Sequence, residues 1–162
     1  MHVTGEWALR LLALTLLVSP LRRWTGWSVL MKMRRMLGLY AFFYGCVHLL
    51  AFLQFFIGWT PALVLEELVE RPYITVGFAA WLLMLPLAFT STRAMQRRLR
   101  RNWQRLHRLV YPAAVLACLH LLWQARSDVG EALVYIVLIA LLLGWRVKRY
   151  RDKPGATSAA GA

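Results

Sequence analysis

The chain has 162 residues, which suits one domain or one small helical bundle. Hydrophobic residues make up 60% of it and charged residues only 17%, with a mean hydropathy of +0.51, so a disordered chain is excluded and a soluble globular domain is disfavoured. The formal net charge of +13 invites a nucleic-acid partner, but the positions of the basic residues favour a membrane protein that binds no nucleic acid.

Apolar stretches predict an all-α, polytopic transmembrane bundle of about five helices, A to E. Helix A, over 5–18, carries Glu6 and Arg10 and needs its neighbours to cross a membrane. Helix B, over 36–57, has about the 20 residues that cross a hydrocarbon core about 30 Å thick. Helices C, D and E are shorter and carry tryptophans suited to the membrane interface, over 74–89, 109–123 and 132–145.

The basic residues lie almost entirely on one side of this topology. The A–B segment, the C–D segment and the C-terminal segment hold seventeen of the twenty Lys and Arg residues, opposed there by Asp152 alone. Because Lys and Arg are retained in the cytoplasm during insertion, we expect a bacterial inner-membrane protein with its N-terminus periplasmic and its C-terminus cytoplasmic. Contact with anionic membrane lipid then accounts for the basic loops.

The sequence divides into a transmembrane domain over residues 1–150 and a tail over residues 151–162. Small residues dominate the tail and predict a disordered cytoplasmic segment. Both cysteines, Cys46 and Cys118, lie inside apolar runs, so the sequence has neither a disulfide framework nor a C-x-x-C-H motif for covalent haem.

His48 and His120 are the main candidates for a cofactor site. A histidine within a membrane-spanning helix is costly, and it usually faces the bundle interior. Helices B and D run in the same direction, and each histidine lies roughly 17 Å from the basic side at 1.5 Å per residue. Two imidazoles at one depth can bind the iron of a b-type haem from its two faces.

Small residues precede each histidine on the same helical face. They are Ala41 and Gly45 in helix B, and Ala113 and Ala117 in helix D. One interpretation is that they leave room for a porphyrin. The other is that they allow the helices to pack closely.

His107 lies near the basic side, about 20 Å from His120 along a straight helix. It either serves a second haem or a flavin, which would complete an electron path, or is a headgroup-level histidine in a basic loop. The sequence has no GxGxxG motif, which excludes a nicotinamide site of the Rossmann type within this chain.

Five ordered motifs resemble those of the MsrQ (YedZ) family, within the ferric-reductase-like transmembrane superfamily. They are RRMLGLY (34–40), HLL (48–50), RPYITVG (71–77), LAFTST (87–92) and WQRLHRLVY (103–111). The resemblance implies that residues 1–150 form a ferric-reductase-like transmembrane haem-binding domain. It also implies that His48, His107 and His120 are linked to haem b, with FMN as a further cofactor.

The same resemblance implies an electron-transfer subunit that catalyses no substrate chemistry of its own. Electrons would pass from the quinone pool or a cytoplasmic flavin reductase to a periplasmic molybdopterin-containing partner, MsrP, which reduces methionine sulfoxide in oxidised proteins. Family members usually have six helices, and this sequence begins at what resembles the second. Two other functions fit the residues: a ferric or quinone reductase of the same superfamily, and a cofactor-free membrane scaffold.

Overall fold

The computed structural model describes residues 2–125 and 129–151, and within these ranges it contains helices and no strand. The predicted all-α membrane bundle is therefore confirmed. The α-helices are α1 (His2–Thr25), α2 (Val29–Phe52), α3 (Pro61–Glu70), α4 (Pro72–Phe89), α5 (Arg93–Leu99), α6 (Arg101–Leu106), α7 (Val110–Gln124) and α8 (Val129–Arg151). A π-helical turn over Leu53–Ile57 extends α2, and a 3-10 turn over His107–Leu109 joins α6 to α7.

Four helical segments in the described part of the chain are long and apolar enough to cross a membrane. They are Val3–Thr25, Val29–Ile57, Pro72–Phe89 and Arg101–Gln124, and they correspond to predicted helices A to D. Predicted helix E lies within α8. The first two segments extend well beyond the predicted bounds, because Lys and Arg are good helix formers whose charged ends reach the membrane edge.

The first helix crosses the bundle by packing one apolar face inward. Leu9, Leu12, Ala13 and Leu16 are buried at helical spacing and contribute to the core shared with α2, α7 and α8. The polar residues of α1 also have partners: Arg10 pairs with Glu6 at 3.3 Å and donates to the Tyr135 hydroxyl of α8 at 2.8 Å. These contacts explain how Glu6 and Arg10 fit within the part of α1 that packs in the bundle.

The helices form two closely packed pairs, α1 with α2 and α4 with α7, and α2 contacts α4 between them. α8 closes the bundle against α7 and α1. Small residues lie in the core between the helices, where Ala41, Ala113 and Ala114 are fully buried. Large apolar side chains such as Phe43, Val115 and Leu141 are exposed, as a lipid-facing surface requires.

Arg146 ties α8 to α1 and α7 at the end of the bundle that carries the basic residues, here called the basic end. Pro20 lies inside α1 and lacks an N–H group, so the carbonyl of Leu16 has no donor at the usual position four residues later. Arg146 donates to that carbonyl at 2.9 Å and also donates to the Tyr111 hydroxyl. Its guanidinium lies 5.0 Å from the centre of the Tyr111 ring.

Three short helices lie in segments that the apolar pattern did not assign to helices. α3 carries the acidic residues Glu66, Glu67 and Glu70, and α5 and α6 carry the basic segment between α4 and α7. Thr92 caps α5 by accepting from the Met95 backbone N–H at 3.3 Å. Of the predicted tail over 151–162, Arg151 ends α8 and the other residues lie outside the described ranges.

Candidate cofactor site

The side chains of His48 and His120 meet between α2 and α7. Their ring centres are 6.3 Å apart, and the two ring planes make an angle of 76°. Both histidines lie in the half of their helix that is farther from the basic end. The sequence predicted an equal depth for the two histidines, and in the structure their imidazole rings lie next to each other.

The imidazole of His120 is held in one tautomer by the backbone of α4. Its Nδ1 lies 2.7 Å from the carbonyl oxygen of Tyr73. A carbonyl oxygen can only accept, so Nδ1 carries the proton and Nε2 carries the lone pair. Metal-bound histidines typically use this arrangement, in which the nitrogen that does not bind the metal donates to a carbonyl group.

Gly77 allows α4 to approach His120 this closely. A Cβ atom at position 77 would lie 2.7 Å from Nδ1 and 2.9 Å from Cε1 of His120, which is shorter than any normal contact. The glycine is therefore required by the imidazole beside it. Tyr73, one turn earlier on α4, provides both the carbonyl and a ring that stacks near the imidazole at 6.3 Å and 29°.

His48 has a similar environment on α1. Its Nδ1 lies 3.3 Å from the Thr4 hydroxyl oxygen, and a Cβ atom at Gly5 would lie 3.1 Å from its Cε1. Each imidazole of the pair therefore lies against a glycine of the adjacent helix, with a hydrogen-bonding oxygen nearby. α1 supports His48 on α2 in the way that α4 supports His120 on α7.

The separation of the two rings fits a shared metal of the haem type. An imidazole nitrogen binds such a metal at about 2 Å, and the ring centre lies roughly 1 Å further on, so two axial imidazoles place their centres about 6 Å apart. The observed 6.3 Å agrees with this separation. Among the described residues, no group of three or more His, Cys, Asp or Glu could hold a metal ion, and a porphyrin would supply four nitrogens itself.

The small residues near the histidines serve helix packing. Ala41 and Ala113 are fully buried in the core, and a Cβ atom at Gly45 would lie 3.5 Å from Cδ1 of Trp81. Trp81 stacks on Phe42 and donates to the Cys46 sulfur at 3.4 Å. The burial of Ala41 and Ala113 agrees with the interpretation that small residues allow close helix packing there, and Trp81 lies between α2 and α4.

His107 is not part of this pair. It lies in the 3-10 turn before α7, where its ring centre is 3.9 Å from that of Trp103 and its Nδ1 donates to the Trp103 carbonyl at 3.2 Å. Arg34 of α2 precedes His48 by 14 residues and His107 precedes His120 by 13, so Arg34 and His107 lie at about the same depth from the imidazole pair.

Sequence reasoning missed the residues that support the imidazoles, namely Thr4, Gly5, Tyr73 and Gly77. A signal was present for the two glycines, because a glycine inside a helix costs about 1 kcal/mol relative to alanine and usually has a packing reason. No sequence signal identifies the Tyr73 carbonyl, since every residue has one.

Comparison with known proteins gives the family. The family described as "Ferric reductase like transmembrane component" matches residues 4–118. The "Protein-methionine-sulfoxide reductase heme-binding subunit MsrQ" of Xanthomonas campestris pv. campestris (strain 8004) is 58% identical over 148 residues, covering 90% of this chain and 67% of the relative. The protein of the same name from Ralstonia nicotianae (strain ATCC BAA-1114 / GMI1000) is 53% identical over 147 residues, covering 89% of this chain and 68% of the relative.

No solved structure matches this chain. The matched segment includes His48, His107 and the glycines beside the imidazole pair, and the identity to the two relatives extends over most of the sequence. The chain is thus a membrane protein that belongs to the ferric-reductase-like transmembrane family and, within it, to the MsrQ family.

Proposed function

We propose that this chain is the haem-binding membrane subunit of a protein-methionine-sulfoxide reductase system, with a b-type haem bound between His48 and His120. The observation that carries the proposal is the juxtaposition of two imidazoles on two membrane-spanning helices at a ring separation of 6.3 Å. The names of the two relatives, which describe heme-binding subunits, support the same cofactor.

Each residue at the pair has a definite task in this proposal. Haem, when bound, supplies one-electron transfer through the membrane. His120 would hold the iron through Nε2, because the Tyr73 carbonyl accepts its Nδ1 proton. Gly5 and Gly77 let α1 and α4 fix the two ring positions, which limits the movement of the ligands between redox states.

His107 extends the proposed electron path toward the basic end. It stacks on Trp103, and Arg34 of α2 lies at about the same depth, so an aromatic surface and a cation lie near the level where a second cofactor would receive electrons. We assign His107 to this second level, as a ligand of a further haem or a neighbour of a flavin. FMN enters the proposal through the family resemblance, and flavin extraction from the purified protein tests it.

The proposed direction of electron transfer follows from the concentration of basic residues at one end of the bundle. With the basic end in the cytoplasm of a bacterial inner membrane, electrons arrive from the quinone pool or a cytoplasmic flavin reductase near His107. They leave from the His48–His120 level to the periplasmic molybdopterin subunit MsrP, which reduces methionine sulfoxide. In this proposal residues 1–150 act as one electron-transfer domain with no substrate chemistry of its own.

The first experiment is a dithionite-reduced minus air-oxidised spectrum of the purified protein, with haem quantified as the pyridine haemochrome. We expect a sharp low-spin b-type α band, and a loss of most haem in His48→Ala and His120→Ala. His2→Ala is the matched control and should retain haem. Equal haem in His120→Ala and His2→Ala would contradict the ligand assignment, and colourless, well-folded protein would favour a cofactor-free scaffold.

The partner assignment needs a separate assay. Membranes that contain this chain and MsrP should reduce methionine sulfoxide, and His120→Ala should abolish that activity. Membranes that contain the chain alone should not reduce ferric chelates. Ferric reduction without MsrP would instead identify a ferric reductase of the same superfamily.

A further inference from the structure

A pocket of about 380 Å³ lies at the basic end, between the end of α1 and the start of α2. Its lining residues are Ser19, Arg22, Arg23, Met31 and Arg34. Three guanidinium groups and one hydroxyl thus line one open pocket far from the imidazole pair. The proposed electron transfer does not use this pocket.

The charges around the pocket favour an anion. Its lining contains no carboxylate, and three of its five lining residues are arginines. Neighbouring like charges repel, so an anion between the guanidinium groups would relieve an unfavourable interaction. The first turn of α2 adds the positive end of a 24-residue helix that has no acidic residue there and no side-chain cap from Ser28.

The surroundings of the pocket favour a lipid over a soluble anion. The membrane-spanning segment of α1 ends at Thr25 and that of α2 begins at Val29, so the pocket lies at the membrane edge. Trp24 and Trp27 are 83% and 69% exposed beside it, and tryptophan is typical of the headgroup level. Met31, which lines the pocket, is also exposed and offers apolar surface to an acyl chain.

We propose that this pocket binds the phosphate of an anionic phospholipid, of the phosphatidylglycerol class, with Arg22, Arg23 and Arg34 contacting its oxygens. Arginine suits this role because its planar guanidinium can donate two hydrogen bonds to one phosphate. The Ser19 hydroxyl would add a donor. The proposal does not depend on the proposed electron transfer, since it concerns other residues and another ligand.

The test compares two double variants of the full chain with the same loss of charge. Arg22→Gln with Arg23→Gln alters the pocket, whereas Arg97→Gln with Arg98→Gln removes two exposed arginines of α5, also in a basic segment. Native mass spectrometry measures retained phosphatidylglycerol, and thermal unfolding measures stabilisation by phosphatidylglycerol against phosphatidylcholine. We expect retained phosphatidylglycerol to fall roughly tenfold or more in the pocket variant and to stay near the wild-type level in the control.

Two outcomes would overturn the proposal. Equal loss of lipid in both double variants would show attraction by net charge without a pocket. Stabilisation by inorganic phosphate as strong as that by phosphatidylglycerol would show that the site takes a free anion. Should the double variant fail to fold, Arg22→Gln and Arg23→Gln are tested singly, and wild-type lipid retention in both would equally contradict the proposal.

Discussion

At the scale of single residues, the glycines beside the imidazoles determine where the two rings can lie. A methyl group at position 77 would meet His120 Nδ1 at 2.7 Å, whereas one at Gly5 would meet His48 Cε1 at 3.1 Å. The first contact requires a displacement of backbone or ring, and the second requires a shift of a few tenths of an ångström. The two positions should therefore differ in their tolerance of alanine.

We expect Gly77→Ala to move His120 off the proposed iron axis and to destabilise the protein by about 1–3 kcal/mol, as overpacking usually does. Haem content and the position of the α band, measured with thermal unfolding, test this, and Gly5→Ala should show a smaller loss. Gly144→Ala in α8 is the control, because a Cβ atom there meets nothing within 4 Å. Wild-type haem content and an unshifted α band in Gly77→Ala would show that the glycine does not position the ligand.

At the scale of helices, the bond from Arg146 to the Leu16 carbonyl compensates for Pro20 in α1. Leu16 is fully buried, so its carbonyl has no water to replace a lost donor. An unsatisfied buried carbonyl costs about 1–3 kcal/mol. Arg146→Gln should therefore destabilise the wild-type chain by about that amount and loosen α8 from α1.

A double-mutant cycle tests this relation between two helices. Pro20→Ala restores a backbone N–H four residues after Leu16, so Arg146→Gln should cost less in the Pro20→Ala background than in the wild type. Chemical unfolding in detergent measures the four free energies. Additive effects would show that Arg146 stabilises the bundle only through Tyr111 and charge.

The helices also show what the sequence can predict. Apolar runs located the four candidate crossings and the helix α8, because burial in lipid selects composition strongly. They misplaced the ends of α1 and α2, where Arg and Lys continue the helices. Counting residues from the basic side predicted that His48 and His120 lie at the same depth, because both helices start on that side. In the structure their rings are adjacent. The contact of Gly77 with His120 could not be predicted, since it depends on how α4 rotates against α7.

At the scale of the whole molecule, the separation of acidic and basic residues indicates how the bundle is oriented across a membrane. The acidic residues of α3 lie in the connection that follows α2, whereas α5 and α6 carry arginines in the connection that follows α4. Because consecutive crossings alternate in direction, these two connections lie on opposite sides of a membrane. From the positive-inside rule we propose that α5 lies in the cytoplasm and α3 in the periplasm.

Single cysteines test this orientation in a chain whose native Cys46 and Cys118 have been replaced by alanine. Val69 on α3 is 82% exposed and Arg98 on α5 is exposed, so both positions tolerate a reactive thiol. A membrane-impermeant maleimide should label Val69→Cys in cells with a permeabilised outer membrane, and Arg98→Cys only after the inner membrane is opened. The reverse labelling pattern would show that the bundle has the opposite orientation. The His48–His120 pair would then lie near the cytoplasm, where it could not deliver electrons directly to a periplasmic partner.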